Sequence, residues 1–283
     1  MRLLRVGAPG EESPAVLTAD GSAVDVSSVV PDYDHRTLDA DSLEALAQTV
    51  EAGGLPVVDL GETRVGPPVA RPGKVVCIGL NYRDHAAETG AEIPSEPIVF
   101  MKDPWTVVGP DDDVPIPRGS TKTDYEVELA VVIGRTASYL ESPGQSAHHI
   151  AGYAIANDVS EREYQLERGG QWDKGKSCEG FNPLGPWLVT PDEFDPSDVP
   201  IRLQVNGVAR QSSRTGQLIF DVPTVVHYLS QFMVLRPGDV VITGTPGGVA
   251  MGQPDPKPYL RDGDVVEAEI AGLGRMRQVF RQA

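Results

Sequence analysis

The 283-residue chain carries 24 Lys and Arg against 41 Asp and Glu, a formal charge of −17. A chain this acidic repels nucleic acid and anionic membrane surfaces unless a basic patch dominates locally, and no run of Lys or Arg supplies one. No window approaches the roughly 18 apolar residues needed to span a bilayer, and the N-terminus turns polar within a few residues, so the expectation is a soluble, cytoplasmic protein with no nucleic-acid or membrane partner.

The length allows one large domain with a smaller appendage, and 30 Gly with 25 Pro favour many short elements. Cys77 and Cys178 are too few for a disulfide framework and lack metal-finger spacing. Residues 1–70 read as a small N-terminal α/β module. LLRVG and AVLTADGSAVDVSSVV suggest a hairpin turning at Asp20-Gly21. SLEALAQTVEAGG then reads as an amphipathic helix, with Ser42 as N-cap and Gly53 beyond its end. PPVARPGKVV marks a boundary, and residues 71–283 form a second unit of short β-branched runs: KVVCIGL, PIVFMK, VELAVVIG, GYAIANDV, WLVT, IRLQVNG, DVVITGTP and DVVEAEIAG. Helical pattern is confined to DHAAETGAE, SEREYQLERG and VPTVVHYLSQFM, so the fold class is α+β, mostly β.

In CIGLNYRDHAAE a strand leads through a turn into a short helix. His85 and Glu88, three apart, share a helix face, where the carboxylate can orient the imidazole as a general base. In DYEVELAVVIG, side chains alternate faces, so Asp124, Glu126 and Glu128 lie together, neighbours being roughly 6.5 to 7 Å apart. The run continues into AVVIG, which looks fully buried, and buried carboxylates need water or positive charge. GYAIANDVSER delivers Asp158 to a second strand end. Three carboxylates without a Cys or His cluster point to oxygen ligation of Mg²⁺, Mn²⁺ or Ca²⁺ rather than zinc.

GQWDKGKS, from Gly170, spells a phosphate-binding loop. That motif works only between a buried strand and a helix, where backbone N–H groups converge on phosphate. Here a polar helix-like segment precedes it, Pro183, Gly185 and Pro186 forbid a helix after it, and Trp172 sits inside the cradle, so the phosphate reading fails. His148, His149 and His227 read as solvated or structural, and Trp172 and Trp187 as loop or core residues.

In chain order GLNYRDHAAE, PIVFMK, DYEVELAVVIG, NDVSEREYQ, GQWDKGKS, NPLGPWLVT, LQVNG, RPGDVVITGTPGGV, YLRDGD and IAGLG resemble the fumarylacetoacetate hydrolase family over roughly residues 72 to 280. The leading module is similar to that of its bacterial branch acting on acylpyruvates and diketo-deoxy sugar acids. The resemblance implies a mixed β-sandwich roll around a metal site in a homodimer, with metal ligands at Glu126, Glu128 and Asp158. It places a catalytic His85/Glu88 pair on a lid, an active-site lysine at Lys176, and substrate-side positions at Lys102, Arg162, Gln165 and Thr245. Departures fall at Asn81, where some relatives have a further Asp ligand, at Glu179-Gly180, and at Ala250. The implied reaction is hydrolysis of a carbon–carbon bond in a 2,4-dioxo acid, giving a carboxylic acid and pyruvate or a related 2-oxo acid. The alternatives are isomerisation or decarboxylation of hydroxymuconate- or oxaloacetate-like 2-oxo acids, and a non-catalytic 2-oxo-acid-binding protein.

Overall fold

A computed structural model of the chain describes residues 1–61 and 63–283. Its spine is Val127–Ile133, a strand in which every residue is buried. Leu129, Val131 and Ile133 face one apolar cluster while Ala130 and Val132 face another. The period-two alternation thus feeds both faces of the sheet, and burial on both sides explains why AVVIG contains no polar residue.

Around this spine runs a mixed, twelve-stranded sheet. Ile150–Asn157 lies antiparallel on one side and Val240–Ile242 antiparallel on the other. Val240–Ile242 then pairs in parallel with Val75–Gly79, which is flanked by Ile98–Lys102. Beyond Ile150–Asn157 comes Asn182–Val189, against which the N-terminal strand Arg2–Val6 pairs, with Leu3 opposite Leu188. Arg2–Val6 also pairs with Ser13–Leu17, which turns at Gly21, φ 85°, into Ala23–Asp25. The expected hairpin is therefore present, and its strands extend the large sheet.

A second, five-stranded sheet contains Pro200–Val205, Val208–Arg214, Val265–Ile270, Gly274–Gln282 and Val114–Ile116. Leu203, Val266, Ala268, Met276 and Phe280 from it join Val127, Leu129 and Ile155 in one cluster between the sheets. On the opposite face of the large sheet, Leu43 and Leu46 of the helix Ala40–Ala52 pack with Leu3, Val16 and Leu188. That helix is capped by Asp39, which accepts from the N–H groups of Asp41 and Ser42. Ser42, expected as the cap, lies in the first turn and donates its hydroxyl to Asp39 Oδ2 at 2.6 Å. Asp39 wins because its carboxylate accepts both orphan N–H groups. Gly53 ends the helix at φ 75°, as expected.

The arrangement is mixed α+β, dominated by strands. Among the described residues no helix is long and apolar enough to cross a membrane. Leu129 is completely buried between the sheets. Replacing it with Ala should cost ~2–5 kcal/mol of unfolding free energy by leaving a cavity, read as a lower urea midpoint with an unchanged slope.

Candidate active site

The acidic segment is not one continuous strand. Thr123–Asp124 pairs with Ser160–Glu161, the chain breaks at Tyr125-Glu126, and the long strand begins at Val127. At the break the Glu126 N–H finds Asn157 Oδ1 at 3.1 Å. A side chain thereby replaces the ladder partner, which frees the backbone to redirect the carboxylates.

Glu126, Glu128 and Asp158 converge so that one carboxylate oxygen from each lies within 4.8 Å of the others, all buried. Asp158 follows immediately after the strand Ile150–Asn157, and its N–H bonds to the Glu126 carbonyl at 2.9 Å. That bond joins the two acidic segments through the backbone.

Three cations compensate the cluster. Lys176 Nζ donates to Glu126 Oε2 and Asp158 Oδ2, each at 2.6 Å, and stands 4.9 Å over the Phe100 ring. Lys102 Nζ donates to Asp158 and to the Val159 carbonyl. Arg162 bonds Asp124 at 2.9 Å, Glu126, and Gln165 Oε1 at 3.0 Å. Asp124 also accepts from the N–H groups of Ala250 and Met251, so it anchors Arg162 instead of joining the triad.

Glu128 has no cationic hydrogen-bond partner among the described residues; Gly244 N–H donates to its Oε2. Its situation and that of Glu126 split the two titrations. Burial would raise the Glu126 carboxyl, but Arg162 and Lys176 outweigh it and hold it below the usual carboxylate range. Burial pushes Glu128 well up, and the charges of Asp158 and Glu126 add to it. Burial works to lower the Lys176 pKa, yet Asp158 and Glu126 raise it, so the ammonium stays charged.

The residues fit a divalent cation. The donor set is all carboxylate oxygen, the chemistry of hard cations, and one buried carboxylate lacks a positive partner. No fourth protein ligand comes from Asn81: its Nδ2 donates to the carbonyls of Phe220 and Thr243, and its Oδ1 accepts from Phe220 N–H. That amide clamps the backbone before the short helix.

His85 and Glu88 both lie on the helix Arg83–Thr89. His85 is buried, and its Nδ1 stands 3.6 Å from Glu88 Oε2 with no hydrogen-bond partner. This exceeds hydrogen-bond distance, so the pair is adjacent but unjoined. Glu88 instead accepts from Gly248 N–H at 2.9 Å and from Gln253 Nε2 at 2.8 Å. Asp84 on the same helix takes the Ser213 hydroxyl. The helix is thus fastened to the loop after TGTP and to the second sheet.

GQWDKGKS contains only a four-residue helix, Asp173–Lys176, preceded by a wide helical turn, Glu163–Glu167, and followed by the strand Asn182–Val189. The phosphate-loop context is absent. Gly175 is required there, because a Cβ would lie 2.6 Å from Gln165 N. That close approach brings Lys176 under the carboxylates. Trp172 packs edge-on against Phe100, ring centres 5.4 Å apart, in a core role.

Of the substrate-side positions, Arg162, Gln165 and Lys102 all sit in the cluster. Thr245 is there too, but its hydroxyl bonds the Val127 carbonyl at 3.0 Å and accepts from Gln211 Nε2 at 2.8 Å. Glu179 is exposed. Sequence reasoning missed Gln211, which also accepts the Val127 N–H at 3.0 Å and so fixes the start of the spine. Nothing in VARQSS marks it locally, since its partners Thr245, Pro246 and Val127 lie 34, 35 and 84 residues away in sequence.

A mixed, mostly β fold thus brings together three buried carboxylates that could hold a metal ion and three cations that compensate them. The chain belongs to the fumarylacetoacetate hydrolase family: the family model described as fumarylacetoacetate (FAA) hydrolase C-terminal matches residues 74–281. A Burkholderia multivorans protein whose name proposes a hydrolase is 48% identical over 284 residues, covering 100% of both chains. The crystal structure of a 5-carboxymethyl-2-hydroxymuconate delta-isomerase from Mycobacterium smegmatis is 32% identical, with TM-score 0.78 over 100% of this chain and 99% of that one. Maleylpyruvate hydrolase from Sphingobium sp. SYK-6, solved with manganese(II) and pyruvate, is 27% identical, with TM-score 0.82 over 100% of both chains.

Because Glu128 is pushed up, a cation entering the site displaces a proton from it. Apparent Mn²⁺ affinity should therefore rise with pH, by up to about tenfold per unit, until the raised Glu128 pKa is passed. Calorimetry across about pH 5 to 8 checks this; a flat profile would mean that Glu128 is already ionised without metal.

Proposed function

We propose that this protein is a divalent-metal-dependent hydrolase that cleaves a carbon–carbon bond in a 2,4-dioxo acid, an acylpyruvate or diketo-deoxy sugar acid. The products would be a carboxylic acid and pyruvate or a related 2-oxo acid. The observation that carries the reading is the buried Glu126, Glu128 and Asp158 triad, together with a buried imidazole of unpartnered Nδ1 on a helix that the Gly247 and Gly248 N–H groups, just past the TGTP turn, hold through Asp84 and Glu88.

Glu126, Glu128 and Asp158 would hold the cation, with Mg²⁺ or Mn²⁺ the expected occupants. When bound, it would supply a Lewis acid to the substrate's carboxylate and 2-oxo oxygens, where negative charge develops as the bond breaks. His85 would take a proton from water adding to the C4 carbonyl, and Glu88 would orient the ring once the 3.6 Å gap between them closes over substrate. Lys176, held charged by its carboxylates, would stand against the growing oxyanion. The C3–C4 electron pair moves toward the 2-oxo oxygen, and a proton returned to C3 completes the 2-oxo acid. Arg162, Gln165, Lys102 and the turn at Thr245 would fix the carboxylate end. The family resemblance extends the reading to a homodimer in the cytoplasm, and the exposed Trp105 offers apolar surface for assembly.

A second reading is supported by structural neighbours named as isomerases, among them the hydroxymuconate delta-isomerase. Removal of a proton beside the 2-oxo group and its return at another carbon, with no water added, would give isomerisation; loss of CO₂ from a carboxylate beta to that group, with a proton taken up in its place, would give decarboxylation.

Loss of enol ultraviolet absorbance by an acylpyruvate panel, followed with Mg²⁺, with Mn²⁺ and with chelator, tests the proposal when pyruvate and free acid are assayed together. Metal-dependent loss with both products is expected. Absorbance change without acid would transfer the assignment to an isomerase or decarboxylase. His85→Ala should lower kcat by more than ~10-fold with metal binding intact, in keeping with the contribution of a positioned acid–base group. A smaller loss would remove the imidazole from the chemistry. Size-exclusion chromatography with light scattering should give twice the 30.3 kDa chain mass.

A further inference from the structure

We propose that Arg210 is a receptor for a second carboxylate on the substrate, so that the acyl part of the preferred substrate carries a terminal anionic group. The inference deepens the hydrolase reading and rests on it for the substrate's orientation.

Arg210 occupies an irregular position. In the ladder between Pro200–Val205 and Val208–Arg214, Leu203 pairs with Gln211 and Gln204 with Ala209, which leaves Arg210 as the extra, unpaired residue of a bulge. Bulges beside active sites re-aim side chains that regular alternation would send elsewhere. On one side of it, Gln211 is locked inward on Thr245 and Val127. The Arg210 carbonyl presses against Gly248, so closely that no Cβ fits there. Gly248 has φ 108°, and its N–H is the donor that holds Glu88. Its carbonyl accepts the Tyr125 hydroxyl at 3.2 Å, and the charges of both Arg210 and Glu88 act on that hydroxyl. Arg210 is therefore placed on the His85/Glu88 flank of the site, where the acyl half of the substrate would lie.

Its charge is left over. Lys102, Lys176 and Arg162 are each tied to carboxylates of the cluster. Arg210 is half-buried, its Nε is buried with no hydrogen-bond partner, and among the described residues no carboxylate pairs with it. In a chain with 41 acidic residues, a half-buried guanidinium with a buried, unpartnered Nε is costly unless an anion visits it. A planar fork of donors suits a carboxylate, two donors to two oxygens. In the proposed orientation the metal triad, Lys102 and Arg162 would serve the 2-oxo acid end and Lys176 the attacked carbonyl, so the group left for Arg210 is at the far end of the acyl chain.

Succinylpyruvate and butyrylpyruvate have acyl chains of equal carbon number and differ by that terminal carboxylate. Their kcat/KM would be measured for the wild type, Arg210→Gln and Arg210→Lys, and their affinities by calorimetry on Mn²⁺-loaded His85→Ala protein with and without the Arg210 changes. The expected result is a wild-type preference of ~30-fold or more for succinylpyruvate, carried mainly by KM and matched in affinity. Arg210→Gln should reduce that preference to less than ~3-fold while altering butyrylpyruvate little, and Arg210→Lys should keep part of it. Equal treatment of the two compounds by the wild type, or a loss in Arg210→Gln that falls equally on both, overturns the assignment. If Arg210→Gln fails to melt like the wild type, the wild-type ratio and the Lys variant decide. Discrimination in affinity without turnover of either compound would sink the hydrolase reading and leave the carboxylate receptor standing; turnover of both without discrimination would do the reverse.

Discussion

Four carboxylates, Asp124, Glu126, Glu128 and Asp158, are buried beside three cations, Lys102, Arg162 and Lys176, and the rest of the molecule is arranged around that imbalance. With all seven ionised the cluster carries one surplus negative charge, and such a charge cannot rest in an apolar interior. Without a cation the surplus is relieved on Glu128, whose carboxyl is pushed toward its neutral form. A divalent ion would turn the balance to one surplus positive charge, which an anionic substrate then meets.

The fold meets this demand through close backbone approaches. The spine strand is buried on both faces, so its end is rigid and lies next to strands from distant parts of the chain. Gly175 lets Lys176 come up beneath Glu126 and Asp158, and Gly244 turns its N–H toward Glu128 while lying against Asn81. The Arg83–Thr89 helix is fixed from the other side by Asp84 and Glu88. Asp124, Glu128, Lys102, Asn81, Gln211 and Glu88 each hold a backbone group, which is how a site keeps its geometry without substrate.

Much of this was legible in the sequence where the signal is local. The alternation in EVELAVVIG gives both the buried strand and the shared face of Glu126 and Glu128, and the apolar run before Asn157-Asp158 delivers the third carboxylate. The interruption at Tyr125-Glu126 was not legible, because the Asn157 side chain that replaces the missing ladder bond belongs to another strand. The N-cap passed from Ser42 to Asp39 through competition between two good capping residues three apart, which propensity does not rank. The phosphate-loop spelling was rejected on its neighbours, and the short helix inside it serves to hold a lysine. Gln211, Asp124 and Arg210 acquire their places through pairings remote in sequence or through a bulge.

The two oxygens held by Lys176, one on Glu126 and one on Asp158, belong to the same carboxylates that a metal would bind. The ammonium therefore acts as a resident counter-ion bridging the two groups. A site bridged in this way needs no folding step to receive its ion. Part of the ion's binding free energy must instead go into sharing or shifting the lysine's contacts, which weakens retention and favours exchange. Such a centre, once loaded, would follow the divalent metal supply around it more readily than a structural site, whose metal is part of what makes it fold.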